Sequence, residues 1–330
     1  PPSRAGAPRG LPCRNKPDPE PKSLPGSQLT SGSHSSRGSR TRAPHRTPSP
    51  EHRRPEAMQS AVNALAFPVP DKAWSVALLR RRSDLVLLRT ASGETTACVH
   101  VHSKAKRRRR MTLLYSHANA EDLGLALPFV EALARYAGAD VLAYEYLGYS
   151  LASGDPSEQG CMECIDAAYA YLTRDCGIDP KQIIAYGRSI GSGPTVDLCA
   201  RHHVGGMILQ SPIASAGLVV MPSFAARALS TFDLFRNYEK ISSVTCRSLL
   251  MHGRDDQMVP FAHSHDVLYP LLGDPHAPVW LEGCGHHDMP DDACLRAVSD
   301  FVGFVGDRSV GVEARRIDDG GWPLVASLCS

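Results

Sequence analysis

The sequence lacks any long apolar stretch. No run of about 18 apolar residues is present, so we expect no membrane-spanning helix. A secretory signal needs an apolar core of about 7–15 residues near its start, and the first part of the chain contains none. These two absences predict a protein that is not secreted and that works in the cytoplasm, either free or attached peripherally to a membrane.

The sequence also lacks a cysteine pattern typical of a disulfide framework or a metal site. Its ten cysteines are irregularly spaced in a chain of 330 residues, which is too long for a disulfide scaffold and indicates reduced thiols. Cys161 and Cys164 form a C-x-x-C pair on a predicted helix, but no second Cys/His pair lies at zinc-binding spacing. No thioredoxin-like pattern surrounds them either. We therefore predict no metal site and no cofactor.

Apolar residues are scarce in residues 1–57, which are rich in Pro, Ser and Arg. This segment has a net charge of +7 against +2 for the whole chain, which leaves −5 for residues 58–330. Because so few apolar groups cannot offset the entropy lost on folding, we predict a disordered basic tail at 1–57, a folded domain at 58–306 and a C-terminal tail at 307–330. The first methionine is Met58, so the basic tail is interpreted either as part of a longer tail or as sequence translated upstream of the start.

A G-x-S-x-G motif at residues 187–191 follows a predicted buried strand at 182–186 and precedes a predicted helix at 191–202. The motif is typical of the strand–turn–helix that presents the nucleophilic serine of an α/β-hydrolase, here Ser189. The glycines permit a turn in which Cβ atoms would collide with neighbouring segments. The N–H of Ile190 is then expected to face a developing oxyanion. A nucleotide-binding glycine turn is the alternative, but the segment has no G-x-G-x-x-G and no G-K-[ST].

A serine nucleophile needs a histidine base and a carboxylate that orients the histidine. In α/β-hydrolases these follow in the order serine, acid, histidine, each in a loop after a strand. The loop after one predicted buried strand contains Asp255 and Asp256, and the loop after the last predicted strand contains His286 and His287. The order favours a catalytic triad over solvated loop residues. The spacing alone leaves the choice within each pair open.

A second oxyanion donor normally comes from the loop after the third strand of this fold. Here a predicted strand at 111–116 leads into the loop 117–124, and the backbone N–H of Asn119 is the candidate donor. The alternative is an ordinary loop between a strand and a helix.

Strand and helix patterns alternate along the chain. Predicted strands lie near 75–80, 84–89, 96–102, 111–116, 140–145, 182–186, 206–210, 247–252 and 278–282. Predicted helices lie near 121–137, 158–175, 191–202, 262–272 and 291–305. The alternation predicts an α/β-hydrolase fold, in which a mostly parallel central sheet has helices on both faces and begins with antiparallel strands.

Residues 211–245 form a short segment at the position where this fold often carries a cap. Some of its apolar side chains must pack on the sheet. Leu218, Met221 and Phe224 are candidates for lining an acyl groove. A short cap suits a shallow, open site that admits an acylated protein surface.

A basic run lies between the two strand patterns near 96–102 and 111–116, and consists of Lys104, Lys106, Arg107, Arg108, Arg109 and Arg110. Its simplest interpretation is a solvated loop. The alternatives are a nuclear-localisation patch or a contact with anionic lipid, worth about 1 kcal/mol per basic residue near the membrane. No aromatic residues are interleaved with the charges, so nucleic acid is not expected as a partner.

From about residue 65 to 305 the sequence resembles the α/β-hydrolase domain-containing 17 family, which are membrane-associated serine depalmitoylases. The stretches that match are 114–124, 144–150, 186–195, 211–215, 235–241, 252–259 and 283–288. The resemblance implies that Asp256 is the acid and His286 the base. The chain departs from the family pattern at Ala118, where the family has glycine, and in having only Cys13 among its first 97 residues, where animal members carry a palmitoylated cysteine cluster.

The resemblance implies a serine hydrolase that removes acyl groups from S-acylated proteins through a Ser-His-Asp triad, that is, a protein depalmitoylase. A general carboxylesterase, a lipase-like enzyme or a peptidase of the same fold is the alternative. A non-enzymatic interaction protein would retain the fold and have an unreactive Ser189.

Overall fold

The computed structural model describes residues 63, 66–70, 73–106, 108–220 and 233–309. The predicted tail at 1–57, the groove candidates Met221 and Phe224, and Arg107 lie outside these residues. The division of the chain at 57 and 306 stays a prediction.

Strands and helices alternate along the described part of the chain. The strands are β1 (Leu85–Arg89), β2 (Thr95–Val101), β3 (Thr112–Ser116), β4 (Asp140–Tyr144), β5 (Ile183–Arg188), β6 (Gly206–Gln210), β7 (Arg247–Gly253) and β8 (Val279–Leu281). The α-helices are α1 (Ala73–Leu79), α2 (Leu123–Ala137), α3 (Glu158–Ala170), α4 (Ser192–Arg201), α5 (Ala216–Val220), α6 (Asn237–Lys240) and α7 (Asp291–Ser309). Short 3₁₀ or π turns lie at Tyr171–Asp175, Pro180–Gln182, Ser189–Gly191, Ile241–Ser243, His263–Leu268 and Tyr269–Leu271.

The strands of the described residues form one sheet in the order β1-β2-β4-β3-β5-β6-β7-β8. The β1–β2 and β2–β4 pairs are antiparallel, and every pair from β4 to β8 is parallel. Strands β3 to β6 are buried at nearly every position, because helices cover both faces of the parallel part of the sheet. The predicted α/β-hydrolase fold, with antiparallel first strands, is confirmed.

The predicted strand at 75–80 is wrong, because Ala73–Leu79 form helix α1. Ser75 and Leu79, four residues apart, are buried, whereas Trp74 and Leu78 are exposed. Burial that recurs at every fourth residue follows the helical period rather than the alternation of a strand.

The two large apolar clusters of the described residues lie one on each face of the sheet, and a small third cluster contains Cys284, Met289 and Cys294. Alternate residues of β5 show the division: Ile183 and Ala185 face one cluster, and Ile184 and Tyr186 face the other. Helices α3 and α4 contribute to the first cluster, and α2 and α7 to the second. The sheet is therefore packed on both faces, and the polar residues of the candidate site lie in the loops that follow its strands.

The parallel pairing fixes which loops meet. The loops after β3, β5, β7 and β8 all leave the sheet at its carboxyl edge, where open α/β sheets place their sites. The basic run lies before β3 and therefore at the opposite, amino edge. Within the described residues, no helix combines the length and the apolar character needed to cross a bilayer.

Candidate active site

Ser189 lies on a sharp turn between β5 and α4. Its backbone is in the left-handed region, with φ of 54°, which a residue with a side chain adopts only under constraint. A Cβ at Gly187 would lie 2.5 Å from the carbonyl oxygen of Gly191. One at Gly191 would overlap the carbonyl oxygens of Ser116 and His117. Gly187 therefore lets the turn close tightly on itself, and Gly191 lets it pack directly against the end of β3 and the loop that follows.

The side chains of Ser189, His286 and Asp256 form a continuous hydrogen-bonded chain. The His286 Nε2 atom is 3.0 Å from the Ser189 Oγ, and its Nδ1 atom is 2.7 Å from the Asp256 Oδ2. Because the carboxylate can only accept, Nδ1 donates to Asp256, and Nε2 is left to accept the serine hydroxyl proton. This is the arrangement in which a serine can lose its proton to an imidazole.

The carboxylate of Asp256 is fully buried and accepts four hydrogen bonds. Its Oδ1 accepts from the N–H groups of Met258 and Val259, at 2.9 and 2.8 Å. Its Oδ2 accepts from His286 and, at 3.1 Å, from the Nε2 of His252. Burial opposes ionisation, but the hydrogen bonds from His252 and His286 outweigh it and hold the pKa of Asp256 well below its usual range. Asp256 therefore stays charged beside His286.

His252 is a buried histidine that the sequence reasoning did not single out. Its Nε2 lies between two acceptors, the Asp256 carboxylate and the Val259 carbonyl oxygen at 3.0 Å, so this nitrogen carries a proton. Its Nδ1 is 2.6 Å from the Ser264 hydroxyl, which donates to it. His252 therefore joins the loop that carries Asp256 to the helical turn at His263–Leu268.

The structure distinguishes the members of each adjacent pair. Asp255 is exposed, and its main-chain N–H donates to the carbonyl oxygen of Cys284. His287 is also exposed and packs its ring edge-on against the ring of His286, with centroids 5.0 Å apart. Asp256 and His286 are the members that reach Ser189.

The loop after β3 is held by a buried ion pair. His117 Nε2 lies 2.9 Å from Glu145 Oε1, and both side chains are completely buried. Burial opposes protonation of His117, but hydrogen bonding and the charge of Glu145 outweigh it and raise its pKa. The hydroxyl of Tyr146 also donates to the His117 carbonyl oxygen at 2.7 Å. Sequence reasoning missed this pair, although both residues end apolar strands where a polar side chain is a signal.

The predicted oxyanion donors lie on either side of the contact between this loop and the turn. Ile190 directly follows Ser189 in the 3₁₀ turn. The N–H of Asn119 has no acceptor among the described residues, whereas the N–H of Ala118 donates to the Glu121 carboxylate at 3.0 Å. Ala118 is not in the left-handed region, where Ala120 is, with φ of 55°. The alanine therefore fits its position without the strain that would require glycine.

Of the three groove candidates, Leu218 is described. It lies half-buried on α5 and packs against the core cluster that contains α3 and α4. The side chain of Asp233 accepts from the N–H of Gly217 at 2.6 Å, which joins α5 to the residues that resume the described chain. The role of Leu218, Met221 and Phe224 in binding a substrate stays a prediction.

The thiols of the C-x-x-C pair are packed in the core on α3. Burial raises the pKa of Cys164 to about 12 and the pKa of Cys161 well above its usual value, so both thiols are protonated at neutral pH. The described cysteines are all free of disulfides.

The basic run is only partly free for a partner. The Arg108 guanidinium pairs with Asp140, and Arg109 donates to the carbonyl oxygen of Ala137. Exposed side chains on the described part of the run are those of Lys104, Lys106, Arg108 and Arg110. The run lies at the amino edge of the sheet, away from Ser189.

The chain is similar to several curated proteins. It is 38% identical over 203 residues to the alpha/beta hydrolase domain-containing protein 17B of Xenopus tropicalis, which covers 62% of this chain and 69% of the relative. It is 38% identical over 201 residues to protein 17C of Mus musculus, which covers 61% of each chain. No family profile matches the chain.

Solved structures share the fold. An esterase from Pyrococcus furiosus superposes with a TM-score of 0.55 at 15% identity, over 72% of this chain and 97% of the esterase. Est1E from Butyrivibrio proteoclasticus superposes with a TM-score of 0.55 at 15% identity, over 68% of this chain and 99% of that protein. At this identity the likeness concerns the fold alone.

Proposed function

The chain belongs to the alpha/beta hydrolase domain-containing protein 17 family of hydrolases, and from this membership we propose that it is a serine hydrolase that cleaves the thioester of S-acylated proteins, a protein depalmitoylase. The observation that carries the serine-hydrolase mechanism is the hydrogen-bonded chain from Ser189 through His286 to Asp256, and the thioester substrate is proposed from the family. A nucleophile, a base and a buried anion are the groups that acyl transfer requires.

In the proposed first step, His286 Nε2 takes the proton of Ser189 as the hydroxyl oxygen attacks the thioester carbonyl carbon. The N–H groups of Ile190 and Asn119 are proposed to hold the oxyanion, because the two segments that carry them pack against each other. Collapse of the intermediate expels the thiolate, which receives the proton from His286, and leaves an acyl ester on Ser189. Asp256 stabilises the imidazolium through both transfers.

In the second step a water molecule attacks the acyl ester. His286 takes a proton from the water and then returns it to Ser189, which releases the fatty acid. Leu218, Met221 and Phe224 are proposed to contact the acyl chain. In comparable triads, loss of the serine or the histidine lowers kcat by about 10⁶.

For the location we propose the cytoplasm, with the basic run in contact with an anionic membrane surface. The exposure of Lys104, Lys106 and Arg110 supports this contact. Because the run lies at the amino edge of the sheet, a bilayer bound there would face away from Ser189. The acylated residue would then reach the serine from the solvent side.

The test is labelling of the full chain by a fluorophosphonate probe, with a long-chain acyl thioester as competitor. We expect wild type and His287→Ala to label, and Ser189→Ala and His286→Ala not to label, because His287 is the exposed neighbour outside the hydrogen-bonded chain. Competition by the thioester supports the depalmitoylase. Labelling that the thioester does not reduce indicates a general esterase or a peptidase, and an unlabelled, folded wild type overturns the hydrolase mechanism.

A further inference from the structure

Three side chains with metal-binding chemistry meet at the amino edge of the sheet. His100 lies near the end of β2, His102 follows it, and Asp140 begins the adjacent strand β4. Since β2 and β4 are antiparallel, with Val101 opposite Val141, the end of one strand lies beside the start of the other. One potential ligand atom from each residue lies within 4.8 Å of the other two.

The described residues provide no hydrogen-bond partner for one buried nitrogen of His100. The residue is 5% exposed, and its Nε2 atom is fully buried with no hydrogen-bond partner among the described residues. A buried polar nitrogen without a partner is costly. Imidazole nitrogens are common metal ligands, and this one has no competing hydrogen bond among the described residues.

The carboxylate of Asp140 completes the set and is already oriented. Its Oδ1 accepts from the N–H of Ser103 at 2.9 Å, and its Oδ2 faces His102 Nδ1 at 2.9 Å. The same Oδ2 also meets the guanidinium of Arg108, whose side chain is 57% exposed. A cation is therefore already favoured at this oxygen.

We propose that His100, His102 and Asp140 bind a divalent transition-metal ion of the zinc class. Two imidazoles and one carboxylate are a donor set that zinc accepts, with water in the fourth position. Bond lengths of about 2.0–2.2 Å place tetrahedral ligand atoms roughly 3.3–3.5 Å apart. His102 Nδ1 and Asp140 Oδ2, now 2.9 Å apart, must therefore separate slightly to admit the ion. His102, whose side chain is 63% exposed, has the freedom to make this movement.

A zinc ion at this site would compete with the Arg108 guanidinium for the carboxylate of Asp140. Zinc and Arg108 would both need the Oδ2 atom of Asp140, so zinc binding has to displace the guanidinium into solvent. Removal of Arg108 should therefore tighten zinc binding. Because the site lies at the edge opposite Ser189, the ion would join β2 to β4 and take no part in acyl transfer.

The test is titration of the metal-free full chain with ZnCl₂ by calorimetry, with metal analysis after dialysis. We expect the wild-type chain to bind one zinc ion. His102→Ala and Asp140→Asn should each raise the Kd for zinc at least tenfold, and Arg108→Ala should lower it several-fold. Zinc at about 100 times Kd should raise the Tm by roughly 5–10 °C. The matched control is His265→Ala, because exposed His265 contacts Asp266 at 2.6 Å but lies outside the three-residue cluster.

Two results would overturn the proposal. One is a wild type that binds no zinc. The other is a His102→Ala variant that binds zinc as tightly as wild type, which would assign the binding to another part of the chain. Because His102 is exposed, the variant is expected to keep the Tm of metal-free wild type, and this measurement verifies that it is folded.

Discussion

The hydrogen bond from His252 to Asp256 can be removed without removing His286. In a His252→Phe variant the ring keeps a similar volume, but Asp256 Oδ2 loses its 3.1 Å donor and keeps the one from His286 at 2.7 Å. The two N–H donors on Oδ1 remain. The carboxylate therefore keeps three of its four hydrogen bonds and stays ionised at neutral pH.

The expected magnitudes differ for stability and for activity. One hydrogen bond to a buried charge contributes about 1.5–3 kcal/mol, and the hydroxyl of Ser264 also loses its partner, so the free energy of unfolding should fall by about 2–4 kcal/mol. Activity should fall no more than about tenfold, because Asp256 still orients His286. Asp256→Asn, which removes the charge itself, should lower kcat by about 10⁴.

The pH dependence of stability has a definite sign. The folded-state pKa of Asp256 is depressed, so its contribution is present above the unfolded pKa near 4 and is lost as the pH falls through the folded value. Removing His252 raises the folded pKa. The variant should therefore lose this contribution at a higher pH than wild type does.

The assay is hydrolysis of an acyl thioester at pH 7.5, with urea unfolding of each protein measured between pH 3 and 7. Asp255→Asn is the matched control for Asp256→Asn and should retain wild-type kcat, because Asp255 is exposed. If folded His252→Phe loses as much activity as Asp256→Asn, then the three remaining hydrogen bonds do not hold Asp256 in place, and His252 is what controls the geometry of the acid.

Two further predictions concern the turn and the amino edge of the sheet. Gly191→Ala should abolish fluorophosphonate labelling or folding, because its Cβ would overlap the Ser116 and His117 carbonyl oxygens; a folded, labelled variant would show that this contact can relax. The second prediction concerns His100, because burial lowers its folded pKa to about 4, below the unfolded value near 6.5. The unfolded chain therefore binds more protons between pH 5 and 7. Over this range the free energy of unfolding of the metal-free protein should rise by about 2 kcal/mol. In a folded His100→Phe variant, urea unfolding should show a rise that is smaller by this amount. An unchanged dependence of the free energy of unfolding on pH would contradict the prediction.

Much of the frame could be predicted from the sequence because its signals are local. Buried parallel strands are apolar along their whole length, and the G-x-S-x-G turn needs its glycines for a contact that any Cβ would obstruct. The order of Ser189, Asp256 and His286 along the chain then followed from the motif loops. Their catalytic roles stay predictions, but their hydrogen bonds have the geometry those roles require.

Other features depend on contacts that are distant in sequence. The choice of Asp256 over Asp255 depends on which carboxylate turns inward toward two histidines, and spacing carries no such information. His117 and Glu145 each mark the end of an apolar strand, but their pairing depends on β3 and β4 lying side by side, which the sequence pattern does not give. Helix α1 was predicted as a strand because seven residues are too few to separate the two periods reliably.

The strand order has a consequence for how the chain is made. Among the described strands, β3 pairs with β4 and β5, and the β1–β2 hairpin attaches to the sheet through β4 rather than through β3. During synthesis the hairpin must therefore wait for residues 140–144, and one edge of β3 stays unpaired until residues 183–188 emerge. At about 5–20 residues per second, that apolar edge is open for seconds on the ribosome. Until β5 leaves the exit tunnel, this edge can pair with a strand of another chain, so the interval is one in which the nascent chain is exposed to aggregation.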